Sequence, residues 1–122
     1  MPYQIVVENK ILKVVFSERV VTEDLIALDK EIFEHWSDAE CVGHIYDYRQ
    51  VETVGFSDEE IRQIALLDKN ESFVQGPLKI AIIVTEESIA RYSRVYVEGL
   101  QGSDWQAAIF EDEDAANAFI LT

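Results

Sequence analysis

The segment LKIAIIVT, residues 78–85, is the clearest buried strand in the chain. Its apolar run follows a Gly76-Pro77 break and precedes a pattern typical of an amphipathic helix. A strand followed at once by a helix is the repeating unit of α/β folds, in which such strands lie parallel. The rest of the chain can therefore be searched for further units of this kind.

Similar segments occur on both sides of this strand. The alternating runs YQIVVE and ILKVVFS flank a turn-like Asn9-Lys10 pair and predict an antiparallel hairpin. Further strands are predicted at 42–48 and 105–110, helices at 22–36, 57–70, 86–100 and 111–120, and a loop at 71–77. The predicted order is β-β-α-β-α-β-α-β-α. It indicates one α/β domain, residues 1–122, with a mixed, mostly parallel five-stranded sheet and four helices.

Candidate cap residues set the predicted ends of the helices. Thr22 and Thr85 are expected as N-caps of the first and third helices, and Gly99 as the C-terminal stop of the third. Ser57-x-x-Glu60 has the spacing of a capping box, in which each side chain bonds the backbone N–H of the other residue. The sequence therefore assigns Ser57 a structural role at the start of the second helix.

The charge balance excludes several classes of partner. The chain has 24 acidic and 10 basic residues, a net charge of −14, and its Lys and Arg residues are scattered singly. Nucleic acids and anionic membrane surfaces both require a basic patch, so neither is expected as a partner. No apolar run is long enough for a bilayer, and the N-terminus lacks a signal-peptide pattern. With a single cysteine, we expect a cytoplasmic protein.

Residues that could support metal binding or catalysis are few. His35, Cys41 and His44 are the only soft metal ligands, and a strand over 41–48 would place Cys41 and His44 on opposite faces. Neither a metal nor a cofactor is expected. A hydrolase-type enzyme using Cys41, or a carboxylate pair such as Asp47 and Glu52, is the least favoured interpretation.

Four segments carry a resemblance to a known family. HIYDYRQVETVGFSDEE resembles the strand, loop and helix start of STAS domains, and more closely those of SpoIIAA-like proteins. LKIAIIVT, SIARYSRVYVEGL and AIFEDEDAANAFI resemble later elements of the family in the same order, so that the resemblance spans about residues 20–121. It implies a STAS-like fold and a non-enzymatic regulatory module that contacts a protein partner through the helix 57–70 face or the 47–56 loop. The resemblance, and not the residue pattern, also suggests a homodimer.

The resemblance raises a second role for Ser57. Phosphorylated members of the wider family open the corresponding helix with Asp-Ser-Ser-Gly, and a partner kinase modifies one serine. The aligned residues here are Gly55, Phe56, Ser57 and Asp58, of which only Ser57 matches. A phosphate at this helix start would also be repelled by the acids that follow Ser57. We therefore favour the cap and keep the phosphosite as the minority interpretation.

The carboxyl ends of the parallel strands are where open α/β sheets usually bind ligands. The residues predicted at this rim are Asp47, Tyr48, Arg49, Phe56, Arg91, Tyr92 and Tyr96. The two arginines could hold an anion, but we expect them to pair with Asp47, Glu87 or Glu98.

The aromatic residues of the third helix give the alternative function. Tyr92 and Tyr96, with Ile89, form a stripe more typical of a core. If they were exposed beside Phe56 or Phe73, they could instead bind an apolar molecule. The SpoIIAA-like fold is similar to that of lipid-binding SEC14 domains. The alternative function is therefore a carrier or sensor of a small apolar, lipid-like ligand, with its pocket under helix 86–99.

Overall fold

The predicted alternation of strands and helices is present in a computed structural model, which describes residues 2–37 and 40–122. Met1, Asp38 and Ala39 of the predicted domain lie outside the described residues. The strands are β1 Tyr3–Glu8, β2 Ile11–Val21, β3 Gly43–Gly55, β4 Leu78–Ile83 and β5 Trp105–Phe110. The helices are α1 Thr22–Glu31, α2 Asp58–Gln75, α3 Glu87–Gly99 and α4 Glu113–Leu121, and a π-helical segment, Ile32–Trp36, continues α1.

The five strands form one mixed sheet in the order β1-β2-β3-β4-β5. β1 and β2 pair antiparallel, whereas β2, β3, β4 and β5 pair parallel to one another. The hairpin turn is made by Asn9 and Lys10, both in the left-handed region with φ of 53° and 64°. Two consecutive residues with positive φ are typical of the tight turns that join antiparallel strands. The predicted fold class and the predicted hairpin are confirmed.

Strand β3 is much longer than the predicted strand 42–48, and the loop predicted over 47–56 is wrong. Residues Gln50–Gly55 continue β3 by pairing with Ser17–Val21 of the equally extended β2. The register of this pairing shifts near Glu18, whose φ of 62° marks a local irregularity. Most side chains over 49–53 are exposed and polar, so no apolar pattern revealed the strand. Backbone pairing with β2 holds this segment in the sheet, together with the partly buried side chains of Val51 and Val54.

The two faces of the sheet are covered unequally. α1, α2 and α3 pack on one face, and α4 packs on the other. Buried residues of the three-helix face include Leu12, Val14, Phe16, Leu28, Ile64, Ile80, Ile82 and Ile89. The α4 face buries Ile11, Ile45, Ala81, Ile83, Ala116 and Ile120. Because side chains alternate along a strand, β3 sends Ile45 to α4 and Tyr46 to the three helices.

Helix α2 extends past the predicted end at Asn70, so the predicted loop at 71–77 is wrong over Glu71–Gln75. Ser72 explains the extension because it is fully buried and bonded on both sides. Its Oγ donates to Lys69 O at 2.7 Å and accepts from Asp104 N at 3.0 Å. The helix stops at Gly76, which has a φ of 90°. Within the described ranges, no helix is both long and apolar enough to cross a bilayer.

The capping box predicted at Ser57 is confirmed. Ser57 Oγ accepts from Glu60 N at 3.1 Å, and Ser57 N donates to Glu60 Oε1 at 2.9 Å. The cap predicted at Thr22 is wrong because Thr22 already lies inside α1, with its hydroxyl buried and without a hydrogen-bond partner in the described chain. Val21 is the cap residue, and its N–H donates to Asp24 Oδ2 at 2.9 Å.

The predicted start of α3 requires correction, whereas its predicted end at Gly99 is confirmed. Glu86, not Thr85, is the cap residue at the start of α3, and its backbone oxygen accepts from the N–H of Ala90. α3 ends at Gly99, and the cap residue that follows, Leu100, keeps right-handed geometry. A Cβ atom at position 99 would lie 2.6 Å from the Cβ atom of Ala65. Gly99 therefore serves the close approach of α2 and α3, not a left-handed stop.

Candidate binding site

A small cavity lies inside the three-helix face, beneath α3, where an apolar pocket was predicted. Its volume is about 60 Å³, and its walls are mostly apolar, with Asp29, Asp68 and Ser93 among the residues that line it. Four of the predicted rim residues line it, namely Tyr48, Phe56, Tyr92 and Tyr96. Tyr48 stacks on Phe16 with ring centroids 4.4 Å apart, and Phe56 meets Tyr92 edge-on at 5.6 Å. The structure therefore brings these four aromatic residues together as part of the core.

Arg91 lies at the outer edge of these aromatic residues. Its guanidinium donates to Asp58 Oδ1 at 2.9 Å and lies over the Tyr92 ring, 4.5 Å from the centroid. The predicted pairing of Arg91 with Glu87 or Glu98 is wrong, since Glu87 pairs with Arg94. The Asp58 partner comes from the first turn of α2, which the turn after β3 brings beside α3.

Asp47 and Arg49 lie on the opposite face of the sheet, away from the other predicted rim residues. Arg49 Nε donates to Asp47 Oδ1 at 3.0 Å, and a second guanidinium nitrogen donates to Asp47 Oδ2 at 2.8 Å. Burial opposes ionisation of Asp47, but these hydrogen bonds outweigh it, so the pKa of Asp47 is lowered. The predicted Asp47–Arg49 pair is confirmed. Because Asp47 and Tyr48 are neighbours on a strand, they point to opposite faces and share no site.

A larger groove opens between α1 with its π-helical continuation and the C-terminal half of α2. Its volume is about 460 Å³. Leu78 and Trp105, the first residues of β4 and β5, line its base. The groove therefore lies at the amino ends of these strands, opposite the carboxyl rim where a site was predicted. It is of the size that small-molecule sites have in proteins.

The floor of the groove holds two neighbouring carboxyl groups. Asp68 of α2 is buried, Asp29 of α1 is half-buried, and the two carboxyl groups are close enough for each to influence the pKa of the other. Tyr96 OH donates to Asp68 Oδ2 at 2.5 Å. Burial raises the pKa of both aspartates, and the charge of Asp68 raises that of Asp29 further. These raised pKa values favour a single proton on the pair, because ionising both carboxyls would put two like charges side by side.

Tyr46 and His44 extend this polar floor along β3. The Tyr46 hydroxyl lies 3.2 Å from His44 Nδ1. Burial, and then the charges of Asp29 and Asp68, raise the pKa of Tyr46 well above its ordinary value. Burial also lowers the pKa of His44 to about 4, so the imidazole is neutral at pH 7. Neither side chain brings a positive charge to the carboxyl pair.

The walls of the groove are aromatic and its charged residues are mostly acidic. Phe33, Trp36, Tyr46 and Trp105 supply the aromatic surface. The charged residues that line the groove are Asp29, Lys30, Glu40, Asp68 and Glu71. Lys30 is thus the single cationic side chain among the described lining residues, against four carboxyl groups. The groove presents an apolar, electronegative surface.

Cys41 lies on the wall of this groove together with His44, so the prediction that they face opposite sides was wrong. The reason is that β3 begins at Gly43, and Cys41 precedes the strand. Burial raises the pKa of the Cys41 thiol, which lowers the share of reactive thiolate at pH 7. Across residues 2–37 and 40–122, no group of three or more His, Cys, Asp or Glu side chains could hold a metal ion.

The outer side of α2 carries an unusual set of exposed apolar residues. They are Leu66, Leu67, Phe73 and Val74, with exposed fractions of 57%, 59%, 55% and 77%. Spacings of one and seven residues place them along one side of the helix. We call these four residues the α2 outer face. It lies on the helix that the sequence predicted as the contact surface.

The groove and its carboxyl floor were not predicted from the sequence. Its residues come from α1, α2, β3 and the starts of β4 and β5, so no local motif contains them. One feature of the sequence could have indicated the carboxyl floor. Asp29 follows Leu25 by four residues, and Asp68 follows Ile64 by four, so each acid continues the buried stripe of its helix. An acid on an apolar stripe indicates a buried polar site.

Comparisons with known proteins agree with this architecture. No known family matched the chain in a scan of family models, and no curated protein matched it. Among solved structures, it is similar to the crystal structure of an uncharacterized protein of the DUF3478 family, with a SpoIIAA-like fold, from Shewanella loihica PV-4. The TM-score is 0.59 at 15% identity, over 97% of this chain and 91% of that one. The resemblance inferred from the sequence is thus confirmed at the level of the fold, and this chain has a SpoIIAA-like fold.

Proposed function

We propose that this protein is a non-enzymatic interaction module whose protein partner docks on the α2 outer face. The observation that carries the proposal is the exposure of Leu66, Leu67, Phe73 and Val74. Exposed apolar residues grouped along one side of a helix are typical of interaction sites on soluble domains. The 47–56 segment, the other predicted contact, is a paired strand and offers less free surface.

The charge of the protein favours a basic partner. A net charge of −14 on 122 residues attracts a positively charged surface over a distance and repels an acidic one. The partner we propose therefore has an apolar ridge that covers the α2 outer face and basic residues around it. The pairing is expected in the cytoplasm, as the composition predicts.

Two features favour binding over catalysis. The Cys41 thiol has a raised pKa, which is the opposite of what a cysteine nucleophile needs. Asp47, one member of the predicted carboxylate pair, is buried and held by Arg49, while Glu52 is exposed. These positions support a module that acts by contact.

The lipid-like carrier is the weaker alternative because the cavity beneath α3 is small. Its volume is about 60 Å³. A cavity of about 150 Å³ is what accommodates benzene in a protein core. A lipid-like chain would therefore require the three helices to separate from the sheet.

Affinity capture with paired variants tests the proposed interaction. Wild type, a Leu66→Glu/Val74→Glu variant and a Leu121→Glu control are each used to capture proteins from the cytosol of the source cells. Leu121 is 68% exposed on α4, on the other face of the sheet. The control therefore also replaces an exposed apolar residue with an acid, but leaves α2 unchanged. Any captured protein is then purified and titrated against all three.

The proposal predicts capture of a basic protein that binds wild type and the Leu121→Glu control equally well. The same protein should bind the Leu66→Glu/Val74→Glu variant at least tenfold more weakly. Added salt should weaken this complex, because the attraction between opposite charges is screened. Equal binding of all three proteins, an acidic partner, or self-association through α2 without any partner would each contradict the proposal.

A further inference from the structure

We propose that the groove between α1 and α2 binds a small organic ammonium compound with an apolar body. This is a second binding activity, at a groove that adjoins the α2 outer face and shares Leu67 with it. The occupant is inferred from the charge and shape of the groove, which pair aromatic walls with a carboxyl floor.

The size and walls of the groove set the body of the ligand. A volume of about 460 Å³ lies within the range of small-molecule sites. Trp36 and Phe33 line it from the π-helical segment, and Trp105 lines it from the start of β5. Aromatic faces attract cations as well as apolar groups, which suits an ammonium carried on a hydrocarbon or ring.

The charge of the groove sets the head group. Four carboxyl side chains line it against Lys30 alone among the described residues. An anionic ligand, such as a fatty acid, would face net repulsion there, whereas a cation would gain from every acid. The deepest acid, Asp68, is only 8% exposed, so an ammonium that reaches it is shielded from water and strongly attracted.

The Asp29–Asp68 pair supplies the specific contact. Without a ligand, a shared proton offsets the repulsion between the two carboxyls. An ammonium group placed between them would take over that role, and the proton would leave to solvent. The charged and titratable groups that line the groove or influence the pair are Lys30 of α1, Glu40 and Cys41 before β3, Glu71 of α2, Tyr96 of α3, and His44, Tyr46 and Tyr48 of β3.

Tryptophan fluorescence gives a direct test of occupancy. The chain has two tryptophans, and both Trp36 and Trp105 line the groove. The probes are phenethylamine and hexylamine, each compared with its neutral counterpart, 2-phenylethanol or 1-hexanol. At pH 7.5, the proposal predicts saturable fluorescence changes with the amines, and at least tenfold weaker binding of the matching alcohols.

An Asp29→Asn variant tests the carboxyl floor, and Asp114→Asn is the control. Asp114 is exposed on α4, on the far side of the sheet. We expect Asp29→Asn to weaken amine binding at least tenfold while its binding of the alcohols stays unchanged, and Asp114→Asn to change neither. Thermal unfolding of all three proteins shows whether Asp29→Asn is folded. If Asp29→Asn is not folded, Glu71→Gln removes a different charge from the groove and is tested in its place.

Proton release distinguishes specific binding from general attraction to an acidic protein. Calorimetry in two buffers of different ionisation enthalpy should show that amine binding releases a proton, and that affinity increases as the pH rises toward the raised pKa of the pair. Amines that bind no better than alcohols, or amine binding that Asp29→Asn leaves unchanged, would overturn the proposal. So would binding of a lysine-rich peptide alone, since that would assign the groove to a protein segment.

Discussion

Asp68 lies on the buried side of α2, on the same stripe as Ile61, Ile64 and Ala65. Folding raises its pKa, so the folded protein retains a proton that the unfolded chain releases near pH 4. As the pH rises from about 4 to the raised pKa, the folded state loses stability relative to the unfolded chain. Asp68 lowers stability at neutral pH and lines a groove. Its position is therefore better explained by a role in ligand binding than by a role in stabilising the fold.

Replacing Asp68 with Asn should reduce this loss of stability. The amide can still accept from Tyr96 and can donate to Asp29, but it carries no ionisable proton. We expect the fall in unfolding free energy between pH 4 and pH 8 to be smaller than in wild type. Urea unfolding measured at several pH values checks this. An unchanged pH profile would contradict the assignment of a raised pKa to Asp68.

Asp47→Asn is the matched comparison because the pKa of Asp47 is shifted in the other direction. The lowered pKa contributes stability above the unfolded pKa of about 4, and this stability is lost as the pH falls through the folded value. We therefore expect Asp47→Asn to lower stability at neutral pH and to have less effect at pH 3. The two variants should have opposite effects on the pH profile.

Ser57→Ala tests the capping box at the start of α2. Loss of the acceptor for Glu60 N should lower the free energy of unfolding by about 1 kcal/mol. Ser57→Asn keeps an acceptor at the same place and should stay within a few tenths of a kcal/mol of wild type. Chemical denaturation of the three proteins measures the difference. Equal stability of the alanine and asparagine variants would remove the cap as the explanation and favour the phosphosite prediction.

At the level of elements, the sequence predicted every strand and helix in the correct order but misplaced several ends. β5 was predicted correctly because its residues, Trp105–Phe110, are bounded by a polar turn and an acidic helix start. The second half of β3 was missed because backbone pairing with β2 holds a largely polar segment in the sheet. The last turn of α2 was missed because Ser72, which stabilises it, bonds a residue far along the chain.

The close contact of α2 and α3 gives a prediction at this scale. Gly99→Ala would place a methyl group 2.6 Å from the Cβ atom of Ala65, so the helices must move apart. We expect a loss of about 1–3 kcal/mol in unfolding free energy, the usual cost of overpacking. Differential scanning calorimetry or urea unfolding measures it.

The second substitution Ala65→Gly tests whether the contact is the cause. It removes the opposing methyl group, although glycine inside a helix costs about 1 kcal/mol on its own. The two substitutions together should therefore destabilise less than the sum of their separate effects. Simple additivity would indicate that Gly99 is required for another reason.

At the scale of the whole molecule, three helices cover one face of the sheet and one helix covers the other. The three-helix face has a small cavity, a larger groove and the α2 outer face. The sequence could predict the helices but not the groove. Five separate elements meet there, and no local pattern of apolar and polar residues indicates that they lie side by side. The net charge of −14 belongs to this scale too, since it governs which partner surfaces can approach.

In-cell photocrosslinking from the α2 outer face tests the central claim most directly. The photoreactive residue p-benzoylphenylalanine is introduced as Val74→benzoylphenylalanine and, as the control, Leu121→benzoylphenylalanine. Val74 is 77% exposed and Leu121 68% exposed, on opposite sides of the sheet, so both probes are accessible. After illumination of the source cells, the adducts are identified by mass spectrometry.

An interaction module of the proposed kind predicts one dominant adduct from position 74, with a basic protein, and none of the same mass from position 121. Adducts that form equally from both positions would contradict a specific role of the α2 outer face. An adduct of twice the chain's own mass would replace the proposed partner with a second copy, and the absence of any adduct at position 74 would remove the proposed contact.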